Sequence, residues 1–129
     1  MENPAYWRGV VIAEGLHDPQ LINELAVSKA YITDEGQPIG EKGTKGRWHL
    51  YWVDVDDEGI DRVRAGTRHA WYAHFWQGDR LVVVYDDARF EMRRCDESTW
   101  QPAVNHGLRQ GLRREWLDFP TDESAGTVA

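Results

Sequence analysis

The order of periodic segments in this chain, β-α-β-β-α-β followed by β-β-α, predicts an α+β domain: a ferredoxin-like split βαβ antiparallel sheet with helices on one face, plus a C-terminal β-β-α extension. Three observations carry the prediction. Short runs rich in β-branched and aromatic residues recur along the chain, several with period-two alternation. The intervals at His17-Asp18-Pro19 and Asp56-Asp57-Glu58 carry helix-start chemistry. At 129 residues, 41% hydrophobic and 29% charged, the chain fits one domain that buries a core without needing a disulfide or a structural metal. The expected boundaries are a single domain over 1–120 and a flexible tail over 121–129.

The first strand is expected over Tyr6–Ala13, where Val10, Val11 and Ile12 leave no polar face, so it reads as buried on both sides. Asp18 is a good N-cap and Pro19 suits a first helical position, where its missing N–H costs nothing. Leu21, Ile22 and Leu25 then make the stripe of a short helix ending near Ala26, and Val27–Thr33 reads as a second strand. Asp34–Gly46 holds four glycines and a proline with hardly an apolar residue, so it reads as a long mobile loop. Its glycines do not follow the phosphate-loop spacing.

Arg47–Val55 is the clearest strand, with Trp48, Leu50 and Trp52 on one face and His49, Tyr51, Val53 and Val55 on the other. The acids at 56–58, the apolar Ile60 and Val63, and Arg62, Arg64 and Arg68 behind them predict a helix whose charges complement its dipole. Strands over Ala70–Trp76, Arg80–Tyr85 and Arg89–Arg93 follow, separated by Gln77-Gly78-Asp79 and Asp86-Asp87-Ala88. Thr99 can cap a last helix with Pro102 in its first turn and Gly107 as its C′ residue. Trp116-Leu117-Asp118-Phe119 then docks the end of the domain by its apolar side chains.

The formal net charge of −7 argues against nucleic acid, since phosphate binding needs concentrated Lys and Arg. Arg93-Arg94 and Arg113-Arg114 are too short to reverse that. No run approaches the roughly 20 apolar residues of a membrane span, and Met1-Glu2-Asn3-Pro4 lacks the basic and apolar regions of a secretory signal. With the single Cys95, this predicts a cytoplasmic protein.

Seven tryptophans are an unusual load for this length, each able to bury on the order of 200 Å². Trp71, Ala73 and Phe75 alternate with Tyr72, His74 and Trp76. A helix-covered sheet needs only one apolar face. The second aromatic face, with His49 and Tyr51, is therefore the candidate site, and Glu14 at the end of the first strand stands beside it. Histidine near carboxylate is the minimal kit for acid–base work. The remaining motifs are weaker. Asp54, Asp56, Glu58 and Gly59 match early positions of a calcium loop, but Ala65 stands where its bidentate glutamate belongs. The histidines show no metal spacing, Cys95 is flanked by acids that oppose a thiolate, and no serine sits in a nucleophile elbow.

Tyr6-Trp7-Arg8-Gly9-Val10-Val11-Ile12 with Glu14, Trp71-Tyr72-Ala73 ahead of the 81–85 strand, and Leu117-Asp118-Phe119 resemble segments of a group of small uncharacterised bacterial single-domain proteins. The resemblance covers nearly the whole chain and implies a free-standing domain, with no activity to carry over.

The reading that follows is a non-catalytic binding or interaction domain. Its ligand-binding residues are Glu14, His49, Tyr51, Trp71, Tyr72, His74 and Trp76, and it takes a small molecule, a protein partner or a second copy of the chain. No cofactor or metal is expected. The alternative is a small cofactor-independent enzyme using a His/Glu acid–base pair.

Overall fold

Trp7–Ile12 (β1) is the strand on which the sheet is built: β5 (His49–Val55) hydrogen-bonds to one edge of it and β6 (Ala73–Gln77) to the other. The computed structural model describes residues 6–38 and 44–119. The expected tail over 121–129 lies outside them. β2 (Ala26–Ile32) flanks β5, while β7 (Arg80–Tyr85) and β8 (Ala88–Arg93) continue beyond β6. One six-stranded sheet results, in the order β2-β5-β1-β6-β7-β8 and antiparallel throughout. Within the stretch read as a mobile loop, Gln37–Pro38 (β3) pairs with Lys45–Gly46 (β4) as a separate two-stranded ribbon.

Alternation along the strands divides the core into two layers. Trp7, Val11, Val53, Val55, Ala73, Phe75, Val82 and Val84 belong to the first, which Ile22 and helix α1 (Asp57–Gly66) cover through Ile60 and Val63. Val10, Leu50, Trp52, Trp76, Leu81, Val83 and Tyr85 belong to the second. Ala103 and Val104 of α2 (Gln101–Arg109), with Leu117 and Phe119, close over that side. The molecule is thus an α+β protein whose sheet is sandwiched.

Several local expectations change for identifiable reasons. Pro19–Glu24 is a 3₁₀ segment, not an α-helix. Asp18 caps it as expected, accepting from Gln20 N–H at 3.0 Å, but only six residues separate the cap from the next turn, and its bonds close over three residues. β6 starts at Ala73 rather than Ala70, because Ala70 takes a left-handed φ of 65° and gives its N–H to Gln110 Oε1 at 2.8 Å. Gly107 does not end the last helix. It lies inside α2, where a Cβ would come within 2.7 Å of Leu117 and 2.8 Å of the Tyr85 hydroxyl; Gly111, at φ 95°, follows the helix instead.

The same hydroxyl of Tyr85 donates to Ala103 O at 2.6 Å, pinning α2 to the sheet, and burial pushes its ionisation well above the usual phenol range. At the β7–β8 turn, His106 Nε2 lies 2.8 Å from Asp87 Oδ1, and the Gln110 amide donates to Asp86 Oδ1 at 2.9 Å. The hydrogen bond from His106 holds the Asp87 carboxyl below its ordinary range.

Two outcomes follow. Gly9 lies under the Phe75 ring, and a Cβ there would sit 2.2 Å from Phe75 Cδ1 and 2.9 Å from His74 O. Gly9→Ala should therefore lower unfolding free energy by about 2 kcal/mol or more in urea titrations, whereas an unchanged midpoint would show that the strands part at no cost. A carboxyl with a depressed folded pKa contributes stability that is present above its unfolded value and lost as pH falls through the folded one. Below about pH 4, wild type should therefore lose thermal stability more steeply than Asp87→Asn, with parallel curves as the contrary result.

Candidate functional site

With both faces of the central strands covered, chemistry is confined to the strand ends. At one end β1 finishes, β5 and β6 begin, and the chain turns through Ala13–Gly15. Glu14, in that turn, reaches the first residue of β5. Its Oε1 accepts the His49 backbone N–H at 2.7 Å, and its Oε2 lies 2.7 Å from His49 Nδ1. A carboxylate only accepts, so Nδ1 carries the proton and the imidazole is held in one tautomer. The two side chains are 21% and 38% exposed, enough to meet a solute. Among the described residues, nothing pairs with His49 Nε2.

The turn that carries Glu14 is strapped down. His17 N–H donates to Gly66 O at 2.9 Å and Arg68 N–H to Gly15 O at 2.8 Å, while Leu16 bridges to Thr67. Arg68 also extends its guanidinium to Glu14 O at 3.3 Å. Gly15 is required here because a Cβ would stand 2.9 Å from the Trp71 ring. Trp71 meets Trp48 edge-on at 5.6 Å, and Trp48 meets Trp116 likewise at 6.1 Å, with the Arg113 guanidinium 4.9 Å from the Trp116 ring. All three indoles are half-buried. A neighbour of each member of the pair therefore touches Trp71: Gly15 beside Glu14, and Trp48 beside His49.

An open cleft of about 430 Å³ lies on the first face, lined by Ala13, Pro19, Ile22, Leu25, Val27 and Tyr51 with the single amide of Asn23. Ala13 precedes Glu14 and Tyr51 follows His49 by two residues, so the cleft adjoins the pair without being lined by it.

The structure splits the residues that the sequence groups together. Val10 stands opposite both Trp52 and His74, which puts even-numbered positions of β5 and β6 on the second face. His49 and Tyr51 therefore belong to the opposite side from Tyr72, His74 and Trp76; the strand register sets the parity, and no single segment reveals it. His74 is 3% exposed and stacks on Trp76 at 5.6 Å, and Tyr72 meets Phe119 edge-on at 5.3 Å. The Tyr72 hydroxyl donates to Trp116 O, and burial drives its ionisation far above the phenol range. These three close the second layer. Trp48 and Trp52, read on one face of the same strand, also part company: Trp52 is fully buried, while Trp48 stands half-buried at the sheet end with Trp71.

The weaker motifs are used structurally. Asp56 caps α1 by accepting from Gly59 N–H at 2.7 Å, and Asp54 pairs with Arg8 at 3.1 Å. Cys95 lies beside Asp79, whose hydrogen bond and charge push the thiol up, away from nucleophilic use. Among the described residues, no three His, Cys, Asp or Glu side chains are placed to hold a metal ion, and no helix is long and apolar enough to cross a membrane. Sequence reasoning misses Arg68, Trp48 and Trp116 as members of this end. Only Trp48 had a signal, as the neighbour of a singled-out histidine.

Compared with known families, curated proteins and solved structures, the chain finds no match. Its description therefore rests on its own geometry: an α+β protein with a histidine–carboxylate pair at one end of a covered antiparallel sheet.

Proposed function

We propose that Glu14 and His49 form a general acid–base centre, and that the domain moves a proton on a small molecule bound at this end of the sheet. One observation carries the reading: Glu14 takes up Nδ1 at 2.7 Å while Nε2 is left unpartnered among the described residues on a part-exposed ring. The lone pair of Nε2 takes a proton from the bound molecule or from a water. The resulting imidazolium is stabilised by the Glu14 carboxylate, and the proton returns to the product in the following step. Such an arrangement serves isomerisation or hydrolysis; positioned proton transfer contributes about 10²–10⁴-fold. The adjoining cleft, where Pro19, Ile22, Leu25 and Val27 stand beside Asn23 and Tyr51, supports a small substrate with both an apolar and a polar part.

A structural staple would explain the carboxylate's bond to the His49 N–H. It gives no reason for the ring to be held with its second nitrogen left without a hydrogen-bond partner among the described residues. The same strand end also bears on the finer fold reading. We propose that β1, residues 13–24, β2, β5, α1 and β6 form a ferredoxin-like split βαβ unit, supported by the strand order β2-β5-β1-β6.

Long-range ¹H–¹⁵N spectra of the histidine rings test the proton-transfer reading. In its neutral form the His49 ring should be Nδ1-protonated, and Glu14→Gln should shift it toward a mixture of tautomers. An Nε2-protonated ring in wild type sinks the proposal.

A further inference from the structure

We propose that Arg68 is an anion anchor for this site, so that the molecule acted on is a small oxyanion, a carboxylate foremost, with an aromatic or apolar body; this rests on the proton-transfer reading of Glu14 and His49. Among the described residues, seven arginines pair with carboxylates, among them Arg62 with Glu24 and Glu58, Arg89 with Asp57 and Glu91, and Arg93 with Asp79; Arg113, at the same end, lies instead against the Trp116 ring. Arg68 has no carboxylate partner among the described residues, although the chain carries 22 Asp and Glu against 15 Lys and Arg. Its one side-chain bond runs from Nη1 to Glu14 O at 3.3 Å, which fixes the guanidinium beside the residue that orients His49. Its remaining N–H groups are unpaired among the described residues and the side chain is exposed.

The backbone holds Arg68 as firmly as the turn it supports. Its N–H bonds to Gly15 O at 2.8 Å, and its carbonyl accepts from Trp71 N–H at 3.2 Å. Glu14, Arg68 and Trp71 therefore sit on two short segments, 14–17 and 66–71, that are hydrogen-bonded to each other, and His49 of β5 joins them through Glu14. A guanidinium offers a planar fork that matches a carboxylate through two parallel bonds, and Trp71, tied to Arg68 through the backbone, supplies an aromatic surface at the same end of the sheet. The negative charge of the chain as a whole repels anions, so an anionic substrate needs a local cation of this kind.

Benzoate and benzamide, alike in size and different in charge, are the probes. Each is titrated into the full chain while the indole N–H and histidine-ring signals are followed. Benzoate should perturb Trp71 and His49 and bind about tenfold more tightly than benzamide, the difference one charge-assisted pair makes. Arg68→Gln should bring benzoate to within about twofold of benzamide, and Arg68→Lys should retain part of the preference. Unchanged signals of the buried Trp52 and Trp76 establish that the variants are folded. Equal binding of the two probes in wild type, no perturbation by either, or an undiminished preference in Arg68→Gln overturns the proposal. The tautomer of His49 is read without any probe, so an Nε2-protonated ring removes the proton-transfer reading alone, while parity of benzoate and benzamide removes the anion anchor alone.

Discussion

The central strand leaves no room on either side of itself, and most of the molecule follows from that constraint. β1 is paired along both edges and packed on both faces, with Phe75 seated on Gly9 so closely that only a hydrogen fits between them. A strand in this position needs helices or coil above and below it. α1 and residues 19–24 supply one cover, and α2 with Leu117 and Phe119 supplies the other. Once both covers are in place, the middle of the sheet is inaccessible. Only the ends of strands, where turns enter and leave, can present polar side chains to a solute.

The aromatic excess is a consequence of the same arrangement. The second layer is closed by one helix and a short non-helical segment, and large flat rings fill the gap that such a thin cover leaves. Tyr72, His74, Trp76, Tyr85 and Phe119 meet one another at ring separations between 5.3 and 6.4 Å. Three half-exposed indoles, Trp48, Trp71 and Trp116, gather instead where β5 and β6 begin. Glu14 and His49 meet at that end because the turn after β1 is tied to the segment after α1, and because β5 starts directly opposite the end of β1. The pair is a product of register and strapping, and each is set by residues distant in sequence.

Local chemistry was legible in the sequence to the extent that it acts locally. The cap at Asp18, the acidic helix start at 56–58, the two-sided burial of β1, the strands at 80–85 and, one residue short, 89–93, and the docking of Leu117 and Phe119 all follow from propensity, capping or hydrophobic content within a few residues. So does the pairing of Glu14 with His49 as a histidine–carboxylate combination, although strand alternation alone groups them with Tyr72, His74 and Trp76, which lie on the opposite face. Which parity of β5 shares a face with which parity of β6 depends on their common register with β1, and shifting that register by one residue would exchange the faces. The positive φ at Ala70 and the close packing of Gly107 on Tyr85 and Leu117 are likewise tertiary facts. Arg68 carried no signal, because a charged residue at the end of a helix reads as a dipole partner until the turn it reaches is known.

The central claim is that the accessible aromatic and imidazole groups lie at the strand end and not on the sheet face. A soluble paramagnetic relaxation agent added to the free protein tests it in one spectrum. The account predicts strong broadening of the His49 ring and of the Trp48, Trp71 and Trp116 indole signals, while His74, Trp52 and Trp76 stay sharp. Broadening of His74 and Trp76 to the same degree as His49 would show that the second face is open, and would contradict the account.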